Sequence, residues 1–545
     1  MSKRNLGPWS LYYYVGRKFP TMMNWAAKSY GGAVRTFIKG TPAVGALKVP
    51  SGGNRWKATL AAEAPGPEAR PSREIPGPKR WPGVASLPFV LSHKEHDPLR
   101  IYKVWKACVK EYGPVFRLDM PGMPPSVYIS DPADIEHLFK STAKEHHKPV
   151  FKTLSAIRDN HDFHQPQKAG ILTEYGEEWW RVRRRVQPYT AKPKTVAMYL
   201  AQMDQVALDF VDRWAGLRDE NQELPSDFTE ELYCWGLESL GLVIFNRRLG
   251  YLEGNPEVNE VVQMARDIFH LVQKLELAPI QWWKIKETED FKQLRLTNDK
   301  LLKYVRGSVI NACNSLEARG PDGLEELNIV EKLLLDDELS FEDVHVYLMD
   351  LLTAGIDTTA MTVAFTLVKL AQNPEKQAKL HDELDAVLGD GQELLTPQLM
   401  SDLKYTKACV KETLRTNSPA ILTMRKLYAD TVLGGYIVPK GFTVNVMLNI
   451  AGTQDEHFPR AAEFQPERWL RHHPLGPINH YASIPFSTGL RNCVGRRLSE
   501  QESYTIVARL LQKYRLEWHY GDLDPIMSIV VTPDKPLKLK MIERK

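Results

Sequence analysis

Phe486-Ser-Thr-Gly489-Leu-Arg491-Asn-Cys493-Val-Gly495 runs into an amphipathic stretch that begins near Leu498 and ends near Tyr514. A cysteine just ahead of a helix N-terminus lies beside unsatisfied backbone N–H groups and the positive end of the helix dipole. Both favour thiolate over thiol and offer hydrogen bonds to a metal-binding sulfur. Gly489 and Gly495 let the backbone approach a flat partner closely, and Arg491 suits a carboxylate. A lone cysteine is otherwise a small, half-buried hydrophobe, and that is the competing reading of this loop.

Upstream, Ser340-Phe-Glu-Asp343 has the form of a capping box and Asn373-Pro374 that of a helix stop. The residues between are almost wholly apolar, so a long helix buried at the centre of the fold is predicted. Inside it sits Ala354-Gly355-Ile356-Asp357-Thr358-Thr359. A mid-helix glycine costs about 1 kcal/mol relative to alanine, and a buried carboxylate adds its own penalty. Local rules broken together in a core mark a functional site; a kink with threonine bonding back to a carbonyl is the structural alternative. Three further segments carry polar pairs at helical spacing or follow them closely. They are Gly176-Glu-Glu-Trp179-Trp-Arg-Val-Arg183, Glu412-Thr-Leu-Arg415 and Phe464-Gln-Pro-Glu467-Arg468-Trp469. Each means little in isolation.

In this order, the segments resemble the cytochrome P-450 superfamily over nearly the whole chain from about Pro76. The cysteine loop matches FxxGxRxCxG at all five fixed positions, and AGxDT, ExxR, FxPERF/W and WxxxR are also present. The resemblance implies a mainly α fold with small β-sheets, and haem b held between the long central helix and the cysteine loop. It implies that Cys493 is the axial ligand to iron, as in the family's thiolate ligation, with Phe486 in the same cofactor-binding loop. Trp179, Arg183, Arg425 and Arg491 are then expected at the haem propionates. The neighbouring Arg181, Arg184 and Arg185 leave the WxxxR arginine ambiguous. Ala354 and Gly355 would leave room for dioxygen, and Asp357 and Thr358 would be the acid–alcohol pair that delivers protons. Glu412, Arg415 and Arg468 would form a buried structural network. The family's proline three residues after the ExxR arginine is replaced here by Ser418, with the proline at Pro419. That shift puts the substrate-lining residues after it in doubt.

Residues 1–62 carry ten Lys or Arg and no Asp or Glu, the first acid being Glu63. The formal net charge of +4 therefore leaves −6 for the rest of the chain. This composition is that of a mitochondrial transit peptide; a disordered basic tail or nucleic-acid arm is the alternative, and no apolar run suits a secretory signal. Residues 63–88 read as a Pro/Gly-rich linker and 89–545 as the haem-thiolate domain. Five scattered cysteines without a CxxC pair argue against a disulfide framework or zinc ribbon. No window is expected to reach the roughly 18 uncharged apolar residues of a membrane span.

The acid-free leader, together with Lys407 and Lys411 before Glu412 and Arg496-Arg497 after the cysteine loop, resembles the mitochondrial branch of the family. There, such basic residues meet an acidic ferredoxin that is reduced by its own reductase. Leu277–Ile285, with Trp282 and Trp283 beside lysines, is a candidate for peripheral contact with the inner membrane on its matrix side. Core packing of these tryptophans is the alternative. The implied activity is insertion of one atom of dioxygen into a lipophilic, steroid-like substrate, and nucleic acid is not an expected partner. Xenobiotic clearance, a redox-partner-free isomerase or dehydratase, and a haem sensor or electron carrier are the competing functions. Asp357-Thr358 speaks against the isomerase.

Overall fold

The central helix, Phe341–Gln372, runs through the middle of the described protein. The computed structural model describes residues 69–143, 147–159, 170–278, 281–319, 327–472 and 474–544. The leader, 1–62, lies outside them. Ser340 caps the central helix: its hydroxyl accepts from the Asp343 N–H (3.1 Å) while the Asp343 carboxylate accepts from the Ser340 N–H (2.7 Å). Asn373 ends it.

The central helix holds no run of 18 uncharged residues, since Asp350 and Asp357 interrupt it. It is long and apolar enough to cross a membrane, with mean hydropathy 1.5 in its best window. However, 83% of that window is buried inside the protein. Its apolar surface is covered by helices Phe228–Phe245, Pro256–Glu276, Glu289–Arg319, Lys404–Thr416 and Arg496–Lys513, all of which pack against it. A helix hydrophobic all round is buried either in lipid or in a large core, and here the core accounts for it.

Helices dominate and the sheets are small, as the resemblance implies. The main sheet joins distant segments: β1 (Val115–Arg117), β2 (Ser126–Ile129), β3 (Leu422–Lys426) and β6 (Thr443–Met447) lie in the order β1-β2-β6-β3. Its β2 and β6 run parallel with Ser126 opposite Thr443, and the other pairs are antiparallel. Between β3 and β6, β4 (Thr431–Leu433) and β5 (Tyr436–Val438) form a hairpin. A pair made by β7 (Tyr514–Glu517) and Lys540–Glu543 closes the chain. From Arg70 onward the Pro/Gly-rich stretch is already fastened to the body. Arg70 bridges to Tyr436, the Arg117 N–H donates to the Pro76 carbonyl, and Ile75 is buried.

Two buried ion pairs tie the helices around the site. Arg509 on the helix after the cysteine loop meets Asp204 at 2.6 Å, and Arg158 meets Asp350 of the central helix at 2.7 Å. Asp350 also accepts from the Leu172 N–H (3.1 Å), which pins the 170–173 segment to the central helix.

Candidate active site

The cysteine loop is a tight turn closed by backbone hydrogen bonds, from the Ser487 N–H to Ile484 and from the Cys493 N–H to Phe486 (2.9 Å). Ser487 and Gly489 both adopt positive φ, which a side chain at the second position would resist. The helix Arg496–Lys513 starts immediately after, with Gly495 at its cap. Cys493 is thus placed at a helix N-terminus, as its spacing predicts. Its exposed surface belongs to the wall of an internal cavity of about 270 Å3. Burial pushes the thiol pKa up, while the N–H groups of Gly495 and Arg496 and the charges of Arg183 and Lys148 pull it back down.

Across the cavity the central helix presents Ala354, Gly355, Thr358, Thr359 and Thr362. A methyl group on Gly355 would come within 2.8 Å of the Leu240 side chain, so the glycine both opens the cavity and admits the neighbouring helix. The Thr358 hydroxyl donates to the Ala354 carbonyl at 2.7 Å, and Thr362 and Thr366 repeat the same i−4 bond. Asp357 does not line the cavity. Its Oδ1 has no hydrogen-bond partner, and burial holds its pKa up at about 7, with Arg266 pulling it down and Glu230 pushing it up. The acid and the alcohol are neighbours in sequence that face different surroundings.

One edge of the cavity is cationic. Lys148, Arg183 and Arg491 line it, and Arg425 adds its charge to those of Lys148 and Arg491. None of the four forms an ion pair with a carboxylate among the described residues. Arg183 donates to the Asn492 side chain (2.6 Å) and carbonyl (2.9 Å). Arg491 donates to the carbonyls of Ile171 and Glu174 and lies over the Trp179 ring, 4.3 Å from its centre. Arg425 holds the Met424 carbonyl (2.7 Å) and lies over Phe139. Burial lowers the pKa of all four: to about 10 at Arg425, about 9 at Arg491 and about 8 at Lys148. Trp179 is buried beside them, but its indole N–H goes to the Ile171 carbonyl at 3.3 Å. Of the ambiguous arginines, Arg183 is the one on the cavity; Arg181, Arg184 and Arg185 pair with acids of the 336–343 region.

Glu412 is shared by several donors. Arg415 grips it with two bonds (2.9 and 2.7 Å), Arg468 adds a third (3.0 Å), and the Trp469 indole and Gln465 backbone complete its shell. Ser418, at the family's proline position, is buried and donates to the Ala420 carbonyl (2.9 Å). Ser418, Pro419 and Ala420 all line the cavity. Residues that sequence reasoning misses here are Lys148, Asn492 and Glu502. Glu502 is a buried carboxylate on the cavity wall whose pKa burial raises to about 8, with one oxygen unpartnered. No local pattern distinguishes these three from solvated residues.

The basic residues near the loop form a mixed patch. Arg496 and Arg497 both pair with Glu500, at 2.8 and 2.9 Å. Lys411 is exposed and Lys407 half-buried, donating to the Ser401 carbonyl (3.2 Å) and close enough to sense Glu500. Elsewhere, Trp283 packs against Phe291 while Leu277, Trp282 and Ile285 are exposed.

A family model for cytochrome P450 matches residues 75–541. The chain is 30% identical over 503 residues to a probable cytochrome P450 49a1 of Drosophila melanogaster, covering 88% of this chain and 84% of that one. It is 31% identical to a probable mitochondrial cytochrome P450 301a1 of the same fly, with 87% of each covered. A mitochondrial 1,25-dihydroxyvitamin D(3) 24-hydroxylase of Rattus norvegicus is 29% identical, again with 87% of each covered. The chain belongs to the cytochrome P450 family and is a haem-thiolate monooxygenase.

Membership implies a haem iron cofactor, and the residues present fit it. One thiol, an apolar interior and an edge of cations that form no ion pair among the described residues match a flat apolar ring that carries a soft-ligated metal and acidic side chains. Buried like charges of this kind are costly until an anion meets them.

Proposed function

We propose that this chain is a mitochondrial monooxygenase that inserts one oxygen atom into a lipophilic, steroid-like substrate, drawing electrons from a ferredoxin and its reductase. The observation that carries this reading is the convergence of Cys493, Gly355, Thr358 and the cationic edge on one apolar cavity. Cys493 would hold the iron of haem b through its sulfur, supported by the N–H groups of Gly495 and Arg496. Arg183, Arg425 and Arg491 would hold its propionates, and Phe486 of the cysteine loop would help to hold the ring. When bound, haem supplies the redox chemistry that activates dioxygen.

The protein's own part is to hold substrate dry and to move protons. Leu240, Leu351 and Leu422 give the cavity walls suited to a sterol-sized apolar body. The Thr358 hydroxyl delivers protons at the cavity face, and Asp357, held near neutrality, resupplies them from the protein side. The vitamin D hydroxylase among the relatives supports the substrate class and the mitochondrial setting. The acid-free leader, 1–62, serves as a transit peptide. Lys407, Lys411, Arg496 and Arg497 form the ferredoxin-facing patch. Leu277, Trp282 and Ile285, with Lys284 and Lys286 beside them, rest on the matrix surface of the inner membrane.

The test is spectroscopic. Wild type, reduced under carbon monoxide, gives the red-shifted Soret band of thiolate ligation, and Cys493→Ala loses it; a variant that retains the full band overturns the ligand assignment. Sterols and xenobiotics titrated against the ferric protein decide the substrate class. Turnover with a diflavin reductase but never with ferredoxin overturns the mitochondrial reading.

A further inference from the structure

We propose that the cavity is entered past a ring of lysines, Lys152, Lys284 and Lys426, which recognises the carboxylate of an acidic lipophile such as a fatty acid or a sterol carboxylic acid. The inference rests on the lipophilic-substrate reading above and narrows it. Three separate elements meet at this rim, and each presents a lysine. Phe151 lines the cavity, and the next residue, Lys152, is exposed. Leu422 and Thr423 of β3 line it, and that strand ends at the half-buried Lys426. The helix Pro256–Glu276 stacks Phe269 on Phe151, and beyond it the turn Trp282–Lys284 carries the exposed Lys284.

Hydrogen bonds hold the three elements together. The His147 carbonyl accepts from the Lys426 N–H (3.2 Å), and the His147 ring is bonded to the Tyr428 hydroxyl (2.6 Å) and stacked on Tyr175 at 4.1 Å. Glu276 closes the other side. Its carboxylate accepts from the Thr153 N–H (3.0 Å) and hydroxyl (2.9 Å), and its carbonyl from the Gln281 side chain (2.9 Å). Burial lowers the pKa of Lys152; Lys284 and Lys426 push it the same way, and Glu276 opposes them. None of the three lysines forms an ion pair among the described residues, and the acids of the neighbouring segment are spent elsewhere. Glu287 pairs with Arg295 (3.1 Å), Asp290 with Lys274 (2.7 Å), and Glu289 lies 3.8 Å from Lys292. Like charges gathered at an opening focus the field and raise the local concentration of anions. Inward of the rim the wall turns apolar, with Phe151, Leu351 and Leu422. An entrance charged outside and apolar inside fits an amphiphile with one acidic head, its body pointing inward. A flat bilayer reaches exposed side chains such as Lys284, whereas a single small head group also reaches the half-buried Lys426.

The probes are palmitic acid and lithocholic acid, the methyl ester of each, and cholesterol as a neutral sterol. Both acids are ionised at neutral pH. Association with the full-length ferric holoprotein is timed by stopped-flow absorbance in the absence of lipid. In wild type, at least one acid should associate about tenfold more slowly at high salt than at low, while its ester is indifferent to salt. At low salt Lys152→Glu/Lys284→Glu should slow that acid about tenfold or more and leave its ester within about twofold. Lys152→Arg/Lys284→Arg, which keeps both charges, should stay within about threefold of wild type for both. An acid rate that ignores salt and charge reversal overturns the proposal, and so does equal slowing of acid and ester, which would mark a change in the shape of the entrance. Lost binding to vesicles of phosphatidylcholine and phosphatidylglycerol, with acid association intact, overturns it in favour of a lipid surface. If the double Glu variant does not fold, Lys152→Gln/Lys284→Gln is put through the same series with the same outcomes. Failure of both acids to bind where cholesterol binds overturns this inference alone. Failure of acids, esters and cholesterol alike brings down the lipophilic-substrate reading as well.

Discussion

Thr358 sits where a helix rule is broken twice, by a glycine three residues earlier and by an acid one residue earlier. Its hydroxyl is parked on the Ala354 carbonyl, a bond exchanged for another at little net cost, since a neutral hydrogen bond contributes about 1 kcal/mol. Thr358→Ala is therefore expected to keep haem and ligand binding but to divert electrons to hydrogen peroxide. Product formed per NADPH should fall about tenfold or more, given the roughly 10²–10⁴-fold that positioned acid–base groups contribute. Unchanged stoichiometry would remove the residue from the proton path. Glu502 offers a cleaner thermodynamic test. Burial raises its pKa from 4.5 to about 8, so between those values the folded state holds a proton that the unfolded chain has lost. Stability must then fall as pH rises from about 4.5 to 8, by up to about 1.4 kcal/mol per pH unit, and level off above. Glu502→Gln, which cannot ionise, should lack this slope; parallel stability curves for the two proteins across pH 5–8 would show that Glu502 is charged in the fold.

At the level of elements, Glu412 is the knot between the helix Lys404–Thr416 and the Pro466–Trp469 turn. The carboxylate is fully buried and accepts from two arginines, an indole and a backbone amide. Arg415 spends its remaining N–H groups on the carbonyls of Gly452, Ala461 and Glu463, and Arg468 donates to those of Pro459 and Arg460. Breaking a satisfied buried pair leaves an uncompensated charge, so Arg468→Ala should cost about 3–5 kcal/mol. Urea unfolding monitored by fluorescence checks this. Arg468→Lys should rescue little, because a lysine cannot reach Glu412 and both carbonyls at once. A loss below about 1 kcal/mol would mean the network is ornamental to stability.

For the whole molecule, charge is divided unequally between leader and body. The body carries a formal −6 once the ten basic residues of 1–62 are removed. A local basic patch near the cysteine loop therefore stands out against an acidic background, and it is smaller than the sequence alone promises. Arg496 and Arg497 share Glu500, and Lys407 is half-buried, which leaves Lys411 as the freest cation of the four. Reversing Lys407 and Lys411 together to Glu should weaken ferredoxin binding by about 2 kcal/mol at most, since exposed pairs are worth about 1 kcal/mol or less each. Association should slow most at low salt, where screening is weakest. The carbon monoxide spectrum and sterol affinity should not change. Stopped-flow reduction by ferredoxin across ionic strength is the measurement, and identical rates at every salt concentration would mark these lysines as merely solvated.

What the sequence by itself determined was whatever short-range chemistry dictates. The cysteine loop, the capping box at Ser340 and the glycine–acid–alcohol run inside an apolar helix are contiguous, so their spacing alone sets their geometry. The Glu412–Arg415 pair was legible for the same reason, being one turn of helix apart. Burial and partnership depend instead on what arrives from far along the chain, and the tertiary structure decided those. It paired Ser126–Ile129 with Thr443–Met447, brought Lys148 to Arg425, turned Asp357 away from the cavity, and gave the Trp179 indole to Ile171 rather than leaving it open. It also settled where the membrane-length apolar window of the central helix is used. Hydropathy measures only a segment's wish to leave water, and the five helices packed on it supply the destination.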